Sequence, residues 1–155
     1  MKKPISLIID DPAPGIHVYY HHIPDHKTQD GRPLLPFVDN ALLDRFCDAA
    51  EAYDLKGKFS VIPMAGNQGC ITTGFCGIPD EKRLAWIETA KARLASRFAF
   101  CPEILTHANA IDLDTQVMLP MNEQVWFAQQ DRSTMTPYVA QAIRLLCQVG
   151  LPPPA

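Results

Sequence analysis

Three short segments built on adjacent apolar residues, the third the weakest, alternate along this chain with longer stretches in which apolar side chains recur every three or four positions. The segments are 5–10 (ISLIID), 58–64 (KFSVIPM) and 103–107 (EILTH). Continuous rather than alternating apolar character predicts strands covered on both faces, the habit of parallel sheets. Between them, Val38, Leu42, Leu43, Phe46, Ala49, Ala50 and Tyr53 form one helical stripe. A second helix is predicted to start with Asp80 as N-cap and Glu81 in the first turn, burying Leu84, Ile87, Leu94 and Phe98. A third takes Thr136 as N-cap and Pro137 as its first residue. It carries a stripe of Val139, Ala142, Ile143, Leu146 and Val149 and ends at Gly150.

Strand then helix, three times over, predicts right-handed βαβ units around a parallel sheet. The connections 12–37, 65–79 and 108–135 are long, and each follows the C-terminal end of a strand, where α/β folds place functional loops. Three parallel strands leave two open edges and cannot close into a barrel. The chain also stops after a helix, where another strand should begin. The expectation is a single α/β domain over 1–155, the N-terminal part of a larger βα assembly that is either truncated or completed by association. A homo-oligomer covering the sheet edges is one such completion.

Composition narrows the partners. The chain has 155 residues, 47% apolar and 20% charged, with a formal charge of −3, ordinary for a soluble domain and unfavourable for nucleic acid or an anionic membrane. Lys2 and Lys3 imitate a secretory n-region, but the apolar stretch behind them ends at Asp10 and Asp11, too short for a signal or a membrane span. Five cysteines, odd in number and without CxxC pairing, point to reduced thiols in a cytoplasmic protein. Cys70 and Cys76 lie in a glycine-rich loop, where packing or exposure competes with reactivity as their role. That loop (Gly66, Gly69, Gly74, Gly77) has no phosphate-loop lysine and no dinucleotide fingerprint.

Candidate chemistry gathers on the C-terminal rim. Asp10 and Asp11 end the first strand, where a turning backbone lets both carboxylates reach one rim; an Asp-Pro turn without chemistry explains D-D-P-A-P-G equally well. His107 ends the third predicted strand, roughly 10 Å from the first in a sheet ordered by sequence. Imidazole with carboxylates suits zinc or another divalent transition metal. His17, His21, His22 and His26 fall in the loop after the aspartates, and any of them could complete a metal site or act as an acid, or simply be solvated. Trp126 and Phe127 either stack on a sugar ring or cover the core.

With these residues in view, the chain resembles the polysaccharide deacetylase (NodB-homology) family, in a divergent branch. ISLIIDDP is similar to the family's first motif, a strand ending in Thr-Phe-Asp-Asp-Gly-Pro. KGKFSVIP resembles its second strand, and PEILTHANAID resembles the segment leading to the first histidine of His-(Ser/Thr)-x-x-His. Order and rough spacing agree across 5–112. The resemblance implies a distorted TIM-like (β/α) barrel and a divalent metal, zinc by preference, at its C-terminal rim. It further implies Asp10 as general base, Asp11 and His107 as metal ligands, and hydrolysis of an N-acyl group on a carbohydrate or other small-molecule substrate.

The chain departs from the pattern where the second histidine falls on Ile111, and where Pro12 replaces glycine. The later motifs have no counterpart. His21, His22 and Asp112 are the candidates for the open ligand position, and Trp126 is a candidate sugar contact. A barrel that is incomplete or non-catalytic, binding a sugar or assembling with a partner, is the second expectation. A third moves the chemistry to another C–N bond.

Overall fold

The computed structural model describes residues 6–15, 29 and 36–154. Its centre is a parallel sheet of β1 (Leu7–Asp10), β2 (Gly57–Val61) and β5 (Phe98–Pro102), in the spatial order β1-β2-β5. The helices α1 (Asn40–Ala52) and α2 (Asp80–Leu94) provide the two crossovers. The chain is thus mixed α/β with a small parallel sheet. Among the described residues that sheet is open rather than a closed barrel.

The third strand is not where the apolar run predicted it. Residues 98–102 form β5, and residues 103–107 form an irregular turn in which Ile104 (φ 49°) and His107 (φ 53°) adopt left-handed backbone. Phe98 therefore belongs to a strand and not to the helix before it. The physical reason is face matching. Phe59, Phe98 and Phe100 lie on one side of the sheet and meet Phe46 of α1 and Trp86 of α2 in a cluster with ring centroids 5.5–6.3 Å apart. Aromatic rings at that spacing add packing geometry to their burial. The other face carries Ile8, Asp10, Lys58, Ser60, Ala99 and Cys101 by register. It is partly open, with Ile8 62% exposed, so the expectation of strands covered on both faces fails at β1.

Gly57 seats β1 against β2. It stands opposite Leu7, and a Cβ at this position would lie 1.8 Å from the Leu7 carbonyl oxygen. No other residue tolerates that approach.

The helices shift in detail. In α1, Asp39 caps the start by accepting from the Ala41 N–H at 2.9 Å, and Leu43, Cys47 and Ala50 are buried. Leu42 and Tyr53 are exposed, so the buried stripe is narrower than predicted. In α2 the N-cap is Pro79, and the buried face turns to Arg83, Trp86, Ile87, Ala90 and Leu94, leaving Leu84 exposed. Arg83 tolerates burial because its guanidinium donates to the Ile71 carbonyl at 2.6 Å and pairs with Asp80 at 3.1 Å.

The long connections are structured. Residues 65–79 hold a 3₁₀ turn (Ala65–Asn67) and a small hairpin of β3 (Gly69–Cys70) and β4 (Gly74–Phe75). Residues 108–135 hold the antiparallel pair β6 (Asn109–Ile111) and β7 (Met118–Asn122), then α3 (Glu123–Phe127). The last helix, α4 (Arg132–Gln148), starts earlier than predicted, with Asp131 and not Thr136 as N-cap, and Pro137 sits inside it. Asp131 accepts from the Thr134 N–H and the Ser133 hydroxyl. Gly150 ends α4 at φ 78°, and the N–H groups of Gly150 and Leu151 return to the carbonyls of Cys147 and Leu146. All five cysteines are free thiols. Among the described residues no helix is long and apolar enough to cross a membrane.

Candidate metal centre

At the C-terminal edge of the sheet, three loops are laced together by backbone hydrogen bonds. The Ile62 N–H donates to the Pro12 carbonyl, the Glu103 N–H to Val61, and the Met64 and Gly66 N–H groups to Leu105 and Thr106. This lacing brings the exit of β1 against the turn that follows β5.

Two side chains on that edge are aimed by unusual backbone. Asp11 (φ 64°) and His107 (φ 53°) are both non-glycine residues in the left-handed region, a conformation that costs about 1–3 kcal/mol and persists only where the surroundings hold it. The result is convergence. Ligand atoms of Asp11, Glu103 and His107 lie within 4.8 Å of one another, and Asp11 Oδ1 is 3.1 Å from His107 Nε2. The side chains are 26%, 23% and 12% exposed respectively. Asp11 Oδ1 is shut off from solvent and accepts no well-directed hydrogen bond among the described residues, despite the nearness of the imidazole.

Those features fit a shared cation. Two donors on a tetrahedral zinc with bonds of about 2.0–2.1 Å stand roughly 3.3 Å apart, without needing to point at each other. One imidazole and two carboxylates are a donor set for zinc or a similar divalent ion.

Asp10 sits beside the cluster, on the open face of the sheet. Its Oδ1 accepts from the Ser60 hydroxyl at 3.2 Å and lies 3.7 Å from the Lys58 ammonium, which is also 3.8 Å from Glu103 Oε2. Lys58 thereby offsets part of the negative charge of both carboxylates. Ser60 in turn lies 3.6 Å from the Cys101 sulfur.

Behind the cluster is a fully buried carboxylate. Glu123 Oε1 accepts from the N–H groups of Leu105 (3.2 Å) and Thr106 (2.9 Å) and from the Tyr138 hydroxyl (2.6 Å). Its Oε2 accepts from the N–H groups of Thr106 (3.1 Å) and His107 (2.6 Å). Burial raises the pKa of Glu123, and the hydrogen bonds from Tyr138 and the backbone oppose that rise.

The structure brings together Asp11 and His107, with Asp10 adjacent, as the sequence pattern predicted. It separates Asp112 from them. The Asp112 Oδ1 instead accepts from the Asp114 and Thr115 N–H groups and the Thr115 hydroxyl, closing the tight turn between β6 and β7. These bonds, led by that from the Thr115 backbone, lower its pKa. Ile111 is buried in β6 and has no part in the cluster. Trp126 packs on Tyr138 at 4.7 Å between ring centroids and covers the core beside the β6–β7 hairpin. His17, His21, His22 and His26 lie outside the described residues.

Glu103 and Glu123 were not among the candidates. Glu103 opens EILTH, and an extended strand would place it about 13 Å from His107; the irregular turn folds the two together. No sequence spacing points to Glu123, whose role depends on the return of the chain through β7. Comparison with protein-family models, with curated proteins and with solved structures finds no match for this chain.

Proposed function

We propose that the chain is a metal-dependent hydrolase of the polysaccharide deacetylase type, removing an acyl group from an N-acylated carbohydrate. The observation that carries this proposal is the convergence of Asp11, Glu103 and His107 beside Asp10. Glu103 takes the ligand position that Ile111 leaves open. Bound zinc would polarise the acyl carbonyl and activate water at neutral pH. Asp10, steadied by Ser60 and Lys58 and with its side chain 56% exposed, is the carboxylate that takes the water's proton. Its position on the open sheet face leaves it accessible to a substrate. On this proposal the three-stranded sheet is part of a larger βα barrel.

The decisive experiment measures zinc bound by the wild-type chain and by Asp11→Ala, Glu103→Ala and His107→Ala, alongside acetate release from N-acetylated oligosaccharides. Micromolar or tighter binding, lost in each variant, is the expected result. A wild-type chain that binds no divalent ion at micromolar concentration sinks the proposal. Exposed Ile8 on the open face favours a second reading, in which another copy or a partner completes the sheet without catalysis; solution mass separates the two, since a monomer active on its own needs no such partner.

A further inference from the structure

The turn that presents His107 is built around a group that never reaches the site itself. Residues 105, 106 and 107 point three consecutive N–H groups inward, and a run of such groups next to left-handed residues makes an anion-binding concavity. Here the anion is internal. Glu123 fills the concavity with both oxygens, at 2.6–3.2 Å from those N–H groups. Tyr138, from α4, closes it by donating to Oε1 at 2.6 Å while accepting from the Ile111 N–H at 3.3 Å. The start of α3 also approaches the imidazole, with Gln124 Nε2 3.4 Å from His107 Nε2. Both ends of His107 are thus addressed from one helical turn. Since α3 is only five residues long, a helix dipole does not account for a buried carboxylate here; the N–H groups do.

We infer that Glu123, clamped by Tyr138, is a positioning residue for the proposed metal centre, presetting the left-handed backbone of His107 so that its imidazole meets Asp11. The inference rests on the metal centre proposed above. Without the carboxylate, three N–H donors lose their acceptor, and the backbone of His107 loses the 2.6 Å hydrogen bond that anchors it at φ 53°. A side-chain amide does not replace it, because its NH₂ would face one or more of those donors. Glu123→Gln therefore keeps the shape and removes the function.

The test is zinc affinity of the full-length chain, measured by competition with a chromophoric chelator well below each variant's unfolding temperature, with metal-free thermal unfolding recorded in parallel. Glu123→Gln should weaken zinc binding by about 10–100-fold, the range seen when partners of metal ligands are removed. Tyr138→Phe, which leaves the N–H contacts in place, should weaken it less. Leu94→Ala, a buried α2 change remote from the N–H concavity, should lower the unfolding temperature and leave zinc affinity unchanged. Wild-type affinity in Tyr138→Phe and Glu123→Gln overturns the inference and spares the metal centre. An equal loss in Leu94→Ala also overturns it, since affinity would then merely follow stability. Should Glu123→Gln fail to fold, Tyr138→Phe decides. A wild-type chain that does not bind zinc overturns the metal centre and this inference together.

Discussion

Asp11→Asn should make the metal-free protein more stable while removing its response to zinc. The carboxylates of Asp11 and Glu103 offer oxygens within 4.8 Å of each other in a partly buried site. At that distance, two like charges repel by about 3 kcal/mol with an effective dielectric constant of 20. Lys58, His107 and solvent screening reduce the part that the substitution recovers to about 1–2 kcal/mol. Asparagine adds no backbone penalty, because it tolerates the left-handed conformation (φ 64°) at least as well as aspartate. For a domain of this size, the gain corresponds to a rise of about 2–8 °C in Tm in chelator. Zinc at about a hundredfold over its Kd should add roughly 2.7 kcal/mol to the wild type and little to the variant. Differential scanning calorimetry with and without zinc reads both effects. A lower Tm for Asp11→Asn in chelator refutes the charge-repulsion account, and a full zinc-induced rise in that variant refutes Asp11 as a ligand.

Ile111→His puts a histidine at a buried position away from the cluster. It should leave zinc affinity unimproved and cost about 1–3 kcal/mol in chemical denaturation for the unsatisfied ring; tighter zinc binding would place residue 111 in the site after all. Phe59→Ala empties the centre of the aromatic cluster, and urea unfolding should show a loss of about 3–5 kcal/mol. Asp131 has its pKa lowered, first by the Ser133 hydroxyl and then by the Thr134 N–H. Its charge therefore contributes stability above its unfolded pKa, and that contribution fades as pH falls through the lowered folded value. Asp131→Asn, which retains a capping oxygen, should flatten the acid limb of a Tm-against-pH profile; an unchanged limb would show that the charge contributes nothing.

Periodicity located the parts of this fold that are locally determined. The apolar run before Asp10 and the one after Lys56 became β1 and β2, and all three helical stripes became helices, because burying a face is encoded every three or four residues. The third strand escaped because Phe98 extends the apolar stripe of the helical pattern before it, so that FAFCP reads as the end of that helix and the strand is expected one segment later, at EILTH. Asp11 stands just past the end of β1, as the pattern indicated, whereas His107 reaches the same edge from an irregular turn five residues beyond β5 and not from a strand end. Glu103 and Glu123 were not legible. Each acquires its role from a turn whose left-handed residues no propensity predicts, or from a long-range return of the chain. Asp112 was misread for the complementary reason: proximity in sequence to Ile111 says nothing about the turn that Asp112 closes.

Gly57 carries a consequence for how mutational data on this chain should be interpreted. It has no side chain and stands at the opposite end of the sheet from the proposed metal centre, yet it fixes where β1 rests. From Leu7, whose carbonyl fills the space of a Cβ at Gly57, the strand runs about 10 Å to Asp10 as a stiff rod. Any displacement at its root is delivered to the carboxylates at its tip. A scan scored by zinc binding would therefore rank Gly57 beside the proposed ligands. Only the intact donor set in such a variant, recoverable by a compensating change at β1, would reveal that its fault is one of alignment.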